Sequence, residues 1–281
     1  MNKTCLRILT LISTILLIGT SHALSQGSLT PSGPPSPSGV SLAQIGQAVI
    51  QRTSIVYAGY YINSPGSYCV ATNLTGYSGG YGIQIASDNV TLDLNGFTLQ
   101  GVSGSFSGIY ISGNHTNITI RNGIVTSWGA NGVSFNYGTA VAQNVVVDDM
   151  IVTGNANHGI AIGTSCSVTR CKIQNNKWLG IAAFGDESRV SHNSIIDNNT
   201  GNHSGSSGIQ VQGSKNLIED NYVSGSMGNN GIVIFNGTGN IVMKNIVNGW
   251  GSSDYVIPIF NDGGPVGTAA SSTSVTANIG L

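Results

Sequence analysis

Six residues able to carry charge near neutral pH recur at one place in the chain: Arg121, Asp148, Arg170, His192, Asp220 and Lys244. Each directly precedes a member of a second regular series, Asn122, Asp149, Cys171, Asn193, Asn221 and Asn245. If successive repeats stack as β-rungs, the six side chains stand about 4.8 Å apart and alternate in sign except at His192. A base held between a guanidinium and a carboxylate can remove a proton and stabilise the resulting anion. Arg170, His192 and Asp220 are therefore a candidate catalytic group, with His192 as base and Arg170 at the developing charge. The same row also reads as an exposed charge ladder that fixes strand register.

Aromatic residues offer binding rather than bond-making. Trp128 and Trp178 lie in turns that lead into Gly-Ile segments, and Tyr110 lies on such a segment. Flat rings spaced along a rod stack on sugar faces, and several weak contacts add through effective concentration. Tyr110, Trp128 and Trp178 are thus candidate ligand contacts, against the alternative that each ring packs on its own turn. The histidines His115, His158, His192 and His203 fall in separate repeats without Cys or acid at a metal-ligand spacing, so no metal site is expected. Asp186-Glu187 offers at most a weak calcium contact, and no cofactor is expected otherwise.

The elements that must position these residues are written in a repeat. Gly followed by alternating aliphatics recurs at Gly82-Ile83-Gln84-Ile85, Gly108-Ile109-Tyr110-Ile111, Gly132-Val133-Ser134-Phe135, Gly159-Ile160-Ala161-Ile162, Gly180-Ile181, Gly208-Ile209-Gln210-Val211 and Gly231-Ile232-Val233-Ile234. A second register, Asn95, Asn122, Asp149, Cys171, Asn193, Asn221 and Asn245, is followed two positions later by an aliphatic or Phe. Repeats of roughly 20 to 50 residues built of short alternating strands predict an all-β solenoid of stacked coils, with Ile83, Ile109, Val133, Ile160, Ile181, Ile209 and Ile232 inside. An amide has donors and an acceptor, so Asn95, Asn122, Asn193, Asn221 and Asn245 are expected to form a structural ladder between rungs. Ser41–Ile50, with Leu42, Ile45 and Val49 at helical intervals, predicts a short N-terminal cap helix, the only helix of the fold.

Composition narrows the partners. Only 7% of residues are charged and the formal net charge is −1, which excludes the basic footprint needed for nucleic acid or an anionic membrane. The chain has 40 Gly and 29 Asn, a composition that orders only through the repeat. Lys3 and Arg7, an apolar run from Ile8 to Gly19 and the small residues Ser21 and Ala23 predict a signal peptide over 1–23. That run is too short to span a bilayer, and no transmembrane segment is expected after cleavage. Residues 24–40, rich in Ser, Pro and Gly, read as a flexible linker, and 41–281 as a single domain. Of the three cysteines beyond the signal, Cys166 and Cys171 would stand roughly 16 Å apart if extended, beyond the ~7 Å a disulfide tolerates, so buried thiols are expected.

The phased pattern Gly-Ile-x-Ile, aliphatic strand, Asn-x-Ile over roughly residues 60–250 resembles the right-handed parallel β-helix repeats of the pectin-lyase-like superfamily. The segment Asp88–Phe97 is similar to a stretch common in its secreted bacterial members. The resemblance implies a right-handed parallel β-helix, secreted, extracellular or periplasmic, meeting polysaccharide or a cell-surface glycan along one exposed sheet. Its members include lyases, glycosidases and epimerases as well as non-catalytic surface proteins, so fold does not fix activity. The segment Asn157–Gly163 resembles a polygalacturonase motif, but Ser107 and Asn131 stand where that family places its acids. The outward positions of the Gly-Ile strands, Gln84, Tyr110, Ser134, Ala161, Ala182, Gln210 and Val233, carry no charge. A non-catalytic polysaccharide-contacting module is the leading expectation; a polysaccharide lyase, glycoside hydrolase or epimerase and a structural surface spacer are the alternatives.

Overall fold

The computed structural model describes residues 47–50, 59–135, 142–225, 230–249 and 253–256, the first and last of these as backbone alone. The expected signal peptide and linker lie outside the described residues. Every described element is a strand, and the strands pair in parallel from coil to coil. Because the pairing partner is always the next coil, no strand can satisfy its backbone within its own repeat, and the stack forms as a unit.

One sheet carries the Gly-Ile strands, from Tyr60–Ile62 through Ile83–Ile85, Ile109–Ile111, Val133–Phe135, Ile160–Ile162, Ile181–Ala183 and Ser207–Gln212 to Asn230–Asn236 and Ser253–Val256. Ile83, Ile109, Val133, Ile160, Ile181, Ile209 and Ile232 are register partners in succession, each at most 1% exposed. A second sheet covers the interior from the other side. Its strands Thr116–Thr126 and Gln143–Thr153 are continuous, whereas later coils break the same path into Ser167–Thr169 with Lys172–Gln174, then Arg189–Ser191 with Ser194–Ile196. The break is a corner residue in the left-handed region: Arg170, His192, Asp220 and Lys244 have φ of 52°, 58°, 53° and 54°. Such a conformation is strained for these residue types and holds where the following side chain is locked inward.

Those following side chains form a ladder. Asn193 Nδ2 donates to Asn221 Oδ1 at 2.9 Å and Asn221 Nδ2 to Asn245 Oδ1 at 2.8 Å. The same oxygens accept the backbone N–H of the coil before, and Cys171 N–H donates to Asn193 Oδ1 at 2.9 Å. Asn193, Asn221 and Asn245 are all buried. Five residues earlier in each coil a second ladder runs through Cys166, Ser188, Asn216 and Asn240, and a third joins Asn155, Asn176 and Asn198.

Asn95 and Asn122 do not join the ladder. Asn95 is exposed with φ 51°, and Asn122 is half-buried with φ 58°, its amide donating to Asp93 Oδ1 at 3.0 Å. In the continuous strands the corner falls one residue later relative to the aliphatic pattern. Gly123 and Met150 are register partners there, Met150 is buried, and Val125 and Val152 point inward while Ile151 is 38% exposed. An amide facing that apolar section would have no partners, so the asparagine occupies the left-handed corner instead, a conformation Asn tolerates well.

The expected cap helix over Ser41–Ile50 is also corrected where the structure describes it: Gln47–Ile50 is a strand, paired in parallel with Ser67–Val70. The edge of Gly66–Val70 presents unpaired backbone groups that a strand satisfies and a helix does not, and Val49-Ile50 favours extended structure. Residues 41–46 lie outside the described residues.

Candidate functional site

On the outer face of the Gly-Ile sheet, the register aligns Gln84, Tyr110 and Ser134 in consecutive coils. A ring followed by a small side chain leaves a step. The Tyr81 ring lies against Tyr110 at 4.2 Å between centroids and 8° between planes, and Phe106 lies 5.2 Å from Tyr81. The step opens into a shallow, open cavity of about 250 Å³ lined by these three rings and by Ser107, Ala130, Asn131, Ser134 and Phe135. Its hydroxyls are already organised, since Ser134 Oγ donates to Ser107 Oγ at 3.0 Å and Ser107 Oγ accepts from Asn131 N–H at 3.3 Å. Burial and the neighbouring Tyr81 phenol push the Tyr110 pKa up, so the phenol is a neutral hydrogen-bonding group at physiological pH.

Further along this face a second group of rings follows. Phe135 and Phe184 meet edge-on at 6.4 Å, His158 lies 6.2 Å from Phe184 and 5.0 Å from Trp178, and Trp178 lies 5.2 Å from His203. Trp178 is 38% exposed. Beneath them Ala161 and Ala182 are buried register partners that form a smooth floor. Burial lowers the His158 pKa to about 4, and its Nδ1 is buried with no hydrogen-bond partner among the described residues. At neutral pH His158 is therefore an uncharged ring.

Trp128 is not part of this surface. It is 1% exposed, its indole N–H donates to the Leu99 carbonyl at 3.1 Å, and its backbone N–H donates to Asn155 Oδ1 at 3.0 Å. A Cβ added at Gly76, Gly82 or Gly108 would stand 2.4 to 2.8 Å from its ring, so three glycines cut the slot it fills. Trp128, Asn155 and Asn176 each stand four residues before a Gly-Ile glycine. That shared position, which leads into a ladder of buried amides, was the sequence signal for an inward ring. The indole is a core residue, and sugar stacking cannot use it.

The charged row lies elsewhere, on the corner between the strands of the second sheet. Arg170, His192 and Asp220 occupy successive coils there, and His192 Nε2 stands 3.8 Å from Asp220 Oδ2. Arg170 is paired with Asp148, and Arg121 Nε donates to Asp93 Oδ2 at 2.9 Å. Arg121 and Asp148 are register partners of each other, while Asp148 aligns with Thr169 rather than Arg170, so the row steps sideways by one residue between those coils. The Arg170 and His192 side chains are mostly exposed there, so water reaches the groups that would react.

Cys69, Cys166 and Cys171 are free and buried, and burial pushes the Cys171 thiol up to about 12, which makes it a packing group rather than a nucleophile. Asp186 Oδ1 accepts from Ser214 N–H at 2.7 Å and Glu187 pairs with Lys215 at 3.3 Å. Among the described residues, no His, Cys, Asp or Glu group could hold a metal, and no helix is long and apolar enough to cross a membrane.

Residues 163–278 match a family model described as the right handed beta helix region. Among solved structures, the chain is similar to the Dettilon tailspike protein, with 11% identity, 72% of this chain and 47% of that chain covered, and a TM-score of 0.48. It is similar to the pectate lyase Pel9A at 14% identity, with coverages of 72% and 60% and a TM-score of 0.49. It is similar also to the periplasmic alginate epimerase AlgG at 12% identity, with coverages of 71% and 58% and a TM-score of 0.48. The chain thus spans about half to three fifths of the length of these proteins. No curated protein matches it by sequence.

Proposed function

The chain is a right-handed parallel β-helix protein, and from that premise we propose that it is exported and contacts polysaccharide through the ring-lined face of its Gly-Ile sheet, without cleaving it. The observation that carries this reading is the pair of ring groups on one face, Tyr81, Phe106 and Tyr110 around the cavity, then Phe184 and Trp178 packed over the buried rings of Phe135 and His158. Rings held by a rigid sheet lose little entropy on binding, and their apolar faces match the C–H faces of pyranose rings. Polar atoms of Ser107, Asn131 and Ser134 line the same cavity. The titratable groups that glycosidic hydrolysis normally draws on, two carboxyls roughly 5 to 10 Å apart, are not among the residues lining it.

Retention of the mature protein on immobilised polysaccharides tests this reading. Retention that falls several-fold in Tyr110→Ala and in Trp178→Ala is the expected result, and retention indifferent to both substitutions would contradict it.

A second reading, favoured by the 3.8 Å approach of His192 to Asp220, is proton transfer at the Arg170, His192 and Asp220 corner in a polysaccharide lyase or epimerase. Release of unsaturated uronides, or epimerisation, that disappears in His192→Ala while the fold persists would establish it.

A further inference from the structure

We propose that the Tyr110 cavity takes a neutral sugar, a hexose or N-acetylhexosamine unit of an uncharged glycan, and discriminates against polyuronates. The inference rests on the polysaccharide-contact reading above and specifies its substrate class. Its basis is the charge of the cavity together with that of the sheet on which it sits. The cavity's eight lining residues are Tyr, Phe, Ser, Ala and Asn, without a cation or an acid among them. The aligned outward residues along the sheet, from Gln84 through Ser134, Ala161 and Ala182 to Gln210 and Val233, are also uncharged.

A uronate seated on Tyr110 would place its carboxylate against rings and buried hydroxyls, losing hydration with no guanidinium, ammonium or bridging cation to replace it. Calcium, which takes roughly six to eight oxygen ligands, finds no acidic oxygen among the lining residues to hold it against a carboxylate. A neutral sugar has no such penalty. Its hydroxyls can exchange hydrogen bonds with Ser107, Asn131 and Ser134, while its apolar face covers the Tyr110 ring, backed on the other side by Tyr81. The cavity volume, below the roughly 300–1,000 Å³ of ordinary ligand pockets, suits one sugar ring of a chain rather than a branched cluster. Lys177, in the turn before Trp178, is not among the lining residues.

Titration calorimetry of the mature protein against cellohexaose, xylohexaose, N-acetylchitohexaose, hexagalacturonate and hexamannuronate, each at low and high salt, decides the matter. The expected result is binding of at least one neutral oligosaccharide, little changed by salt, ten-fold or more tighter than either uronate, and weakened at least ten-fold in Tyr110→Ala but not in Tyr110→Phe. Uronate binding that is tighter than neutral binding and is lost in Tyr110→Ala would overturn the neutral class while leaving polysaccharide contact at this face standing. Binding of none of the five, or binding that Tyr110→Ala and Trp178→Ala both leave unchanged, would overturn both. Because Tyr110 lies on the outer face of the sheet, its substitution leaves the Ile83 to Ile232 column intact, and an unaltered denaturation midpoint serves as the control.

Discussion

Asn193 gives its side-chain N–H to Asn221 Oδ1 at 2.9 Å and to the Val168 carbonyl at the same distance, while its own Oδ1 accepts the Cys171 backbone N–H. One amide thus ties three consecutive coils. Asn193→Leu leaves the Cys171 N–H buried without its acceptor and removes one of the donors to the Val168 carbonyl, a loss of roughly 1 to 3 kcal/mol for the stranded N–H. Chemical denaturation should show a lowered midpoint. An unchanged midpoint would mean that water or a shifted rung replaces the amide.

Ile160 is fully buried between Val133 and Ile181 in the interior column. Ile160→Ala should cost about 2 to 5 kcal/mol, since a stacked core hydrogen-bonded on both sides cannot close around the void. Calorimetric unfolding checks the value, and a loss well under 1 kcal/mol would argue against a rigid stack.

Trp128 separates packing from binding. Trp128→Ala should cost about 3 to 5 kcal/mol, because the slot cut by Gly76, Gly82 and Gly108 is left empty. Glycan retention of the folded fraction should be unchanged, in contrast to Trp178→Ala. Weaker retention by a Trp128 variant with the wild-type fold would contradict the buried placement.

His158 makes the fold sensitive to acid in a definite window. Its pKa is lowered by burial from 6.5 to about 4, so below pH 6.5 the unfolded chain binds the proton more readily than the folded one. The folded state therefore loses stability as pH falls from about 6.5 to about 4, by an amount on the order of 3 kcal/mol. Above pH 6.5 the effect is absent. His158→Phe should lack this contribution, so the wild-type minus variant difference in unfolding free energy should fall between pH 7 and 4. A difference independent of pH would show that His158 charges freely in the fold.

Much of this was legible in the residues, and each failure has its own physical cause. The Gly-Ile-x-Ile period put Ile83 through Ile232 inside because a two-residue alternation beside a required glycine has one inward solution. Asn193, Asn221 and Asn245 were legible because each corner residue before them sits between strands of constant length. The alternation misled at Asn122 and Asp149, where Ile124-Val125 and Ile151-Val152 offer two adjacent aliphatics and only the corner decides which faces in. The ladders through Asn216 and Asn176 stand at regular five- and four-residue offsets, but mixed residue types at those positions, Cys166, Ser188 and Trp128 among them, hide the period. The Tyr81 and Tyr110 stack could not be read at all, since it depends on a turn placing a ring from one coil against a strand of the next.

The ring-lined face, rather than the charged corner, is proposed to meet the glycan. A crystal structure of the protein with a bound neutral oligosaccharide distinguishes the two. A pyranose ring over Tyr110, intact, with its hydroxyls toward Ser107, Asn131 and Ser134, is the expected result. Sugar seated instead at Arg170, His192 and Asp220, or found there as a cleaved or epimerised product, would contradict it.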